Sequence, residues 1–261
     1  MESNFTPKDA YLSHFNPRIY LESYYTLAPS PSKEDQILKF ILRKLSDIFS
    51  PDKIKGDLLI ELGSGPTIYQ FLSACELFKE IVVTDYADQN LKEINQWLKK
   101  EPGAFDWSPV MKYVCELEGD RDKWTDKEEK LREKVKQLLK SDVTQSQPLG
   151  SVSLPQADCL LTIYCLETAC KDLPTYQQAL KNISKLLKPG GTLVLFSVLK
   201  GHYYMVENYK FSCLPLTPEE IKGALDKAGF ICDKSEVIPR NYDKAHVNHD
   251  GIIIWVGKKL K

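Results

Sequence analysis

The sequence has no excess of charge of either sign, since 35 Lys and Arg residues stand against 36 Asp and Glu residues among 261. Its lysines are interleaved with acids, as between Lys123 and Lys136, which is typical of a solvated helix face and not of a phosphate-binding stripe. It also lacks any run of about 18 uninterrupted apolar residues, and its first residues contain no apolar signal-peptide core. We therefore expect a cytoplasmic protein that binds neither nucleic acid nor membrane.

Cysteine is present but in no useful pattern. The seven cysteines are odd in number and irregularly spaced, which disfavours a disulfide scaffold. Cys165 and Cys170 have a spacing found in zinc knuckles, but no second pair and no nearby histidine completes a four-ligand site. We expect reduced thiols, no metal, and, because no repeat or linker interrupts the chain, a single domain over residues 1–261.

Apolar runs alternate along the chain with segments of helical period. The segments with helical period are Ser32 to Phe49, Asp126 to Leu139, Pro174 to Leu187, and one that starts at Thr217 and ends at Gly229. The strand-like runs are Asp57 to Leu62, Glu80 to Thr84, a short one near Leu139 to Val143, Ala157 to Leu161, Thr192 to Val198, Phe230 to Val237 and Gly251 to Gly257. Strands separated by helices predict an α/β fold with a mostly parallel sheet.

The last two apolar runs break the alternation. Only polar, loop-like sequence from Arg240 to Asp250 lies between them, so they are predicted to be an antiparallel pair that closes the sheet. Dinucleotide-binding sheets normally continue with parallel crossovers. The reversed ending instead favours enzymes that use S-adenosylmethionine (SAM).

A glycine turn follows the first strand, in the stretch Gly63-Ser64-Gly65-Pro66-Thr67, and helix-compatible sequence follows the turn. Such a turn places backbone N–H groups and close-approach glycines where a ligand can lie against the main chain. Asp85, about 20 residues on at the end of the second strand, suits a ribose diol. The sequence therefore predicts a nucleotide-cofactor site at this edge of the sheet.

SAM makes several separate demands on that edge, and acids that end successive strands match them. Glu61 is placed for the ammonium of the methionyl tail and Asp85 for both ribose hydroxyls. Asp142, with Val143 beside it, is placed for the adenine amino group. One such acid is as readily a helix cap or a surface carboxylate, whereas three in succession indicate a site.

Six segments resemble one family, which comprises nicotinamide, indolethylamine (thioether) and phenylethanolamine N-methyltransferases. These segments are Tyr11–Arg18, Gly63–Gln70, Trp97–Trp107, Cys115–Gly119, Lys127–Arg132 and Leu186–Gly191. The resemblance covers nearly the whole chain and is closest to the nicotinamide and indolethylamine enzymes. It implies a class I SAM-dependent methyltransferase: a Rossmann-like, mostly parallel seven-stranded sheet with an antiparallel final strand and an N-terminal helical cap, residues 1–50.

The resemblance also implies roles for individual residues. It implies that Glu167 and Tyr20 are the catalytic residues, Glu167 as a carboxylate near the reacting nitrogen and Tyr20 in contact with both cofactor and acceptor. The expected cofactor site comprises Tyr20, Tyr25, Glu61, Gly63, Ser64, Gly65, Thr67, Tyr69, Asp85, Asn90, Asp142, Val143 and Ile163. Glu61 belongs to this set because it lies at the end of the first strand. The acceptor site comprises Tyr20, Ser197, Tyr204, Cys213 and His249.

Two residues bear on the choice of acceptor, namely Glu167 and Ser197. An aliphatic amine must lose a proton before it attacks, which Glu167 could accept, whereas a pyridine nitrogen needs no acceptor. Ser197 stands where the nicotinamide and phenylethanolamine enzymes have an acid, and the indolethylamine enzyme also lacks one. We therefore hypothesise an amine of indolethylamine type as the acceptor of a monomeric enzyme, with nicotinamide or a related pyridine as the alternative.

Two other classes of protein compete with this reading. A methyltransferase-like fold that has lost its chemistry could serve as a scaffold, although every part of SAM has a candidate partner. An NAD-dependent oxidoreductase requires a third glycine at the turn, where this chain has Ile68.

Overall fold

A computed structural model describes residues 5–27, 33–240 and 247–260, and its strands alternate with helices as the sequence predicts. The helices are α1 (Lys8–His14), α2 (Pro17–Tyr24), α3 (Lys33–Ile48), α4 (Asp88–Leu98), α5 (Ser108–Leu117), α6 (Trp124–Lys134), α7 (Leu166–Ala169), α8 (Leu173–Ser184) and α9 (Pro218–Lys227). The strands are β1 (Gly56–Leu62), β2 (Phe78–Asp85), β3 (Val135–Lys140), β4 (Ala157–Ile163), β5 (Leu187–Leu199), β6 (Tyr203–Val206), β7 (Tyr209–Ser212), β8 (Phe230–Pro239), β9 (Val247–Asn248) and β10 (Gly251–Lys259).

Seven of the described strands form the main sheet, in the order β3-β2-β1-β4-β5-β10-β8. β1 pairs in parallel with β2 and β4, and β5 in parallel with β4. β10 runs antiparallel to both of its neighbours, β5 and β8. The predicted mostly parallel sheet with one reversed final strand is confirmed. The reversed strand, β10, lies between β5 and β8.

The register of the central strands brings their carboxyl ends together. Leu62 pairs with Thr84, so the residues that follow them in the chain, Gly63 and Asp85, lie side by side. β4 ends beside them at Ile163, which pairs with Phe196 of β5. The strand order reverses between β1 and β4, which is where open α/β sheets bind ligands.

Burial explains why the central strands are apolar almost without interruption. Five successive residues from Leu58 to Leu62 are buried, as are five from Ile81 to Asp85. Helices cover both faces of a parallel sheet, so neither face can be polar. One face packs against α3, α5 and α6, and the other against α8 and α9.

Two predicted helices begin at the caps that the sequence indicates. Thr217 accepts a hydrogen bond from the Glu220 backbone N–H (3.2 Å), and the Glu220 carboxylate accepts from the Thr217 N–H (2.9 Å), which completes a capping box before α9. Asp172 caps α8 by accepting from the Thr175 N–H (2.8 Å). Each of these helices has a proline in its first turn, as expected.

The third strand differs from the prediction. The helix expected to reach Leu139 ends at Lys134, and β3 occupies Val135–Lys140, so Asp142 lies in the loop after it. β3 pairs in parallel with β2, and this pairing starts where Val135 lies opposite Ile81. The pairing overrides the local helical period of this segment. Helix α3 begins at Lys33, whereas Ser32 of the predicted helix lies outside the described residues.

A second, small sheet was not predicted. Hairpin strands β6 and β7 pair antiparallel, and β9, which lies within the segment predicted to be a loop, pairs with β6. Residues 241–246 of that predicted loop lie outside the described residues. Helix α2 contacts α3, α4 and β6, so the N-terminal helices bridge the main sheet's helices and the small sheet.

Among the residues that the structure describes, no helix combines the length and apolarity needed to cross a membrane.

Candidate active site

The glycine turn after β1 needs glycine for both conformation and space. Gly63 and Gly65 have φ angles of +74° and +57°, a left-handed region that favours glycine. A Cβ built on Gly63 would lie 2.2 Å from Cys165 Sγ. The turn is therefore tied to the end of β4, where Cys165 lies, and not only to β1.

The N–H groups of this turn do not point to a ligand as expected. Gly63 and Ser64 both donate to the Thr84 carbonyl (2.9 and 3.0 Å), and Gly65 donates to Asp85 Oδ2 (2.8 Å). The sequence after the turn forms short 3₁₀ turns and not the expected helix, and the Thr67 hydroxyl donates to the Ser64 carbonyl (2.8 Å) just before them. Close approach, and not N–H donation, is what the glycines offer a ligand.

Asp85 is held at the end of β2 by three donors. Its Oδ1 accepts from the Ala87 N–H (2.8 Å) and the Asn90 amide (2.9 Å), and its Oδ2 accepts from Gly65. Burial raises the pKa of Asp85, and these hydrogen bonds oppose the rise. A carboxylate has about four acceptor sites, so Oδ2 can still accept from a ribose hydroxyl.

A cavity of about 420 Å³ opens at this edge of the sheet. All predicted cofactor residues but one line it, namely Tyr20, Tyr25, Gly63, Ser64, Gly65, Thr67, Tyr69, Asp85, Asn90, Asp142, Val143 and Ile163. The structure thus brings together residues from α2, the glycine turn and the ends of β2, β3 and β4.

Glu61 is the exception, because Gln70 and not Glu61 lines the cavity there. Glu61 is fully buried, its Oε1 accepts from the Gln70 amide (3.3 Å), and burial raises its pKa well above the usual value. No hydrogen-bond donor among the described residues reaches its Oε2. A buried carboxylate oxygen of this kind calls for a cationic partner, and the ammonium of SAM is one.

Asp142 lines the cavity from the loop after β3. Its Oδ1 accepts from the Thr144 N–H (3.0 Å) and hydroxyl (2.7 Å), and its Oδ2 forms an ion pair with Lys8 of α1. Burial acts to raise the pKa of Asp142, but the bonds from Lys8 and Thr144 outweigh it and hold the pKa below its usual value. The carboxylate is therefore ionised and able to accept from an adenine amino group.

Tyrosines form the wall between this cavity and a second one. The Tyr20 and Tyr25 hydroxyls are 3.1 Å apart, Tyr25 stacks on Tyr69 with ring centroids 5.0 Å apart, and Tyr20 meets Tyr204 edge-on at 6.3 Å. Burial raises the pKa of each of these tyrosines well above the usual value, so the phenols stay neutral. Neutral aromatic faces attract a sulfonium as they attract quaternary ammonium.

The second cavity measures about 170 Å³ and adjoins the first at Tyr20, Tyr25, Tyr164, Thr168 and Tyr204. Glu167, Cys213 and His249 also line it. Ser197 does not line it: its side chain is buried behind the wall, where it hydrogen-bonds to Glu167. The structure thus brings four of the five predicted acceptor residues to one cavity and places Ser197 behind Glu167.

Glu167 reaches this cavity because the chain turns sharply after β4. Tyr164 adopts a φ of +55°, a strained angle for a bulky residue, and α7 follows. Glu167 Oε1 accepts from the Val198 N–H of β5 (2.9 Å). Burial raises its pKa to about 7, against the bonds from Val198 and Ser197, so at neutral pH both protonation states are present.

His249 lines the second cavity from the turn between β9 and β10. Burial, helped by the nearby Arg240, lowers its pKa to about 4, so the imidazole is neutral. Gly201 lies beside this histidine, and a Cβ built on it would come within 2.8 Å of Val198 Cγ2 and 3.4 Å of the His249 Cβ. A neutral imidazole has one donor and one acceptor nitrogen.

Sequence reasoning missed several lining residues, of which the most informative are Lys8, Tyr11, Gln70, Tyr86, Tyr164 and Thr168. Gln70 and Tyr164 lie within segments already recognised, one after the glycine turn and one just before Glu167. Tyr11 also begins a segment that resembles the family, whereas Lys8 carries no local signal, because only the packing of α1 across the sheet edge brings it to the cavity.

The residues present fit SAM. Gly63 and Gly65 keep this part of the cavity wall free of side chains, which allows close contact with the cofactor. The carboxylates of Asp85 and Asp142 match its hydroxyls and amino group, the unsatisfied buried oxygen of Glu61 matches its ammonium, and the aromatic wall matches its sulfonium.

Comparison with known proteins gives the same answer. A family model described as the NNMT/PNMT/TEMT family matches residues 3–260. The chain is 60% identical over 260 residues to nicotinamide N-methyltransferase of Homo sapiens, which covers 100% of this chain and 98% of that protein. It is 48% identical over 249 residues to indolethylamine N-methyltransferase of Mus musculus, covering 95% and 94%.

Among solved structures, the fold resembles that of N-methyltransferase NodS from Bradyrhizobium japonicum WM9 in complex with S-adenosyl-L-homocysteine (SAH). The TM-score is 0.54 at 12% identity, covering 95% of this chain and 100% of that chain. A likeness at this identity supports the class I SAM-methyltransferase fold alone.

Proposed function

The chain belongs to the NNMT/PNMT/TEMT family and is a SAM-dependent N-methyltransferase, and from that premise we propose that it methylates the ring nitrogen of nicotinamide or a related pyridine. The observation that carries the acceptor is the 60% identity to nicotinamide N-methyltransferase over the whole chain, against 48% to indolethylamine N-methyltransferase. These identities reverse the order in which the sequence ranked the two acceptors.

The chain's own residues supply binding, orientation and water exclusion. SAM, when bound, supplies a methyl group on a positively charged sulfur. Gly63, Asp85 and Asp142 would hold its nucleoside, Glu61 behind Gln70 would offset the charge of the ammonium, and the Tyr20 and Tyr25 rings would attract the sulfonium. Because methyl transfer is an in-line displacement, holding the acceptor nitrogen at the correct distance and angle supplies most of the rate.

The acceptor cavity suits a small flat ring with one polar substituent. Tyr20, Tyr24 and Tyr204 provide aromatic walls, and Glu167 and His249 provide polar groups. Since the pKa of Glu167 is about 7, its protonated form can donate to an amide carbonyl and its ionised form can accept from an amide N–H. A carboxamide therefore finds a partner at Glu167 in either state.

An amine of indolethylamine type is the second candidate, favoured by Ser197 and Glu167. A serine replaces only part of the hydrogen bonding of the acid that the nicotinamide enzyme has at this position. The ionised form of Glu167 can accept the proton that an alkylammonium must lose.

Glu167→Gln separates the two candidates. We expect turnover of tryptamine to fall by about 10²-fold or more, because a general base is removed, and turnover of nicotinamide to fall less than about tenfold, because glutamine still hydrogen-bonds an amide. Glu219→Gln, an exposed acid in the first turn of α9, is the matched control and should change neither rate. Equal losses with both acceptors would argue against a proton-accepting role.

We further propose that the protein acts as a cytoplasmic monomer, with residues 1–50 as a cap on a single domain of residues 1–261. Light scattering coupled to size-exclusion chromatography tests whether the protein is a monomer, since a dimer would give a mass twice the 29.8 kDa of one chain.

A further inference from the structure

The N-terminal segment that begins α1 crosses the mouth of the cofactor cavity and is fastened on both sides. On one side the Thr6 backbone N–H donates to the Ser212 hydroxyl of β7 (3.0 Å), and the Ser212 N–H donates to the Thr6 hydroxyl (2.8 Å). On the other side Lys8 reaches the loop after β3. Thr6 and Lys8 both line the cavity between these anchors.

The Lys8 anchor is a directed chain of hydrogen bonds. The Lys8 ammonium donates to Asp142 Oδ2 and to the Thr144 hydroxyl (2.6 Å), and that hydroxyl in turn donates to Asp142 Oδ1 (2.7 Å). The ammonium also lies 5.7 Å from the centroid of the Tyr86 ring, another residue of the cavity wall. These contacts fix both the charge and the rotamer of Asp142.

The arrangement leaves Asp142 one direction in which to accept. Oδ1 takes the N–H and the O–H of Thr144, which uses both of its lone pairs. Oδ2 takes Lys8 and a long contact from the Gln145 amide (3.4 Å). Because the Gln145 contact is long, a donor on a ligand can displace it, so Oδ2 is the oxygen of this cavity-lining carboxylate that can accept from the ligand.

We propose that Lys8 is a positioning residue for the cofactor, which orients the Asp142 carboxylate toward the exocyclic amino group of the adenine. The proposal rests on the placement of the adenine at Asp142 given above and not on the identity of the acceptor. Lys8 does not touch the reacting atoms, so it acts on cofactor affinity and leaves methyl transfer unchanged.

Calorimetric titration with SAH, with no acceptor present, tests the proposal. Lys8→Met should weaken SAH binding by roughly two- to fivefold, the size expected for an ion pair whose partners are 40% and 22% exposed. Lys8→Arg should retain affinity within about twofold, because the guanidinium also donates to a carboxylate. Lys92→Met, which removes an exposed lysine on α4, is the matched control and should bind SAH like the parent protein.

A second ligand distinguishes positioning from a general loosening of the segment. The 6-deamino analogue of SAH, a purine nucleoside with hydrogen in place of the exocyclic amino group, has no donor on that edge of the ring, so Asp142 has nothing to accept from it. We expect Lys8→Met to weaken SAH and leave the binding of this analogue unchanged, and to raise the KM for SAM without changing kcat. Equal losses for both ligands, or no loss for SAH, would overturn the proposal, and neither result bears on which acceptor is methylated.

Discussion

Gly63→Ala tests whether the glycine turn is held at its place by the end of β4. The substitution adds one methyl group at a residue whose φ is +74°. That methyl would lie 2.2 Å from Cys165 Sγ and 2.5 Å from Cys165 Cβ, distances that real Cβ atoms do not tolerate. Either the turn or the segment that carries Tyr164, Cys165 and Glu167 must move.

Gly190 separates the clash from the backbone strain. Its φ is +76°, nearly the same as that of Gly63, but nothing lies within 4 Å of a Cβ built on it. Gly190→Ala therefore carries only the left-handed penalty, about 1–2 kcal/mol. For a chain of this size that corresponds to a fall in Tm of about 2–8 °C.

Gly63→Ala should lose more stability than Gly190→Ala and should also weaken SAH binding by about tenfold or more. Thermal unfolding and calorimetric titration measure the two effects, and Gly190→Ala should bind SAH normally because Gly190 lines neither cavity. Adding Cys165→Gly to Gly63→Ala removes both crowding atoms and should restore part of the SAH affinity. Equal losses of stability for Gly63→Ala and Gly190→Ala would show that Cys165 does not crowd the glycine turn.

Three further results are expected. Asp85→Asn should weaken SAH binding by about tenfold, since the amide repels the Gly65 or Ala87 N–H that the carboxylate now accepts, and unchanged titrations would contradict this. Because the pKa of Glu167 is about 7, the ionised fraction rises from about one tenth at pH 6 to about nine tenths at pH 8. The kcat/KM for tryptamine should rise with it while that for nicotinamide stays nearly flat; parallel pH profiles would count against the assignment. Thr217→Ala should lower the free energy of unfolding by about 1 kcal/mol in urea titrations and leave SAH affinity intact, because it removes a helix cap far from both cavities.

The fold could be predicted well where local signals were strong. Apolar strands next to capped helices predicted most of the sheet, and the polar stretch before Gly251 predicted its reversed ending. The limit of β3 could not be predicted, because Val135 starts a strand only by pairing with Ile81. The hairpin of β6 and β7 was missed, although the short turn at Glu207, with a φ of +54°, lies between two runs of aromatic residues.

The candidate site was predictable to the extent that its residues follow strand ends. Asp85 ends β2 and Gly63 directly follows β1, so the register of the two strands brings them together. Ser197 illustrates the limit: alternation along β5 decides that it lies behind Glu167 and not on the cavity wall. Lys8 could not be found at all, since its place depends on how α1 crosses the finished sheet edge.

Competition between the two acceptors tests methyl transfer from SAM to a pyridine nitrogen. A single reaction with equimolar nicotinamide and tryptamine at saturating SAM, with both methylated products quantified by mass spectrometry, gives the ratio of the two kcat/KM values directly. We expect methylated nicotinamide to be the major product. Methylated tryptamine in excess would contradict it and would restore the amine as acceptor.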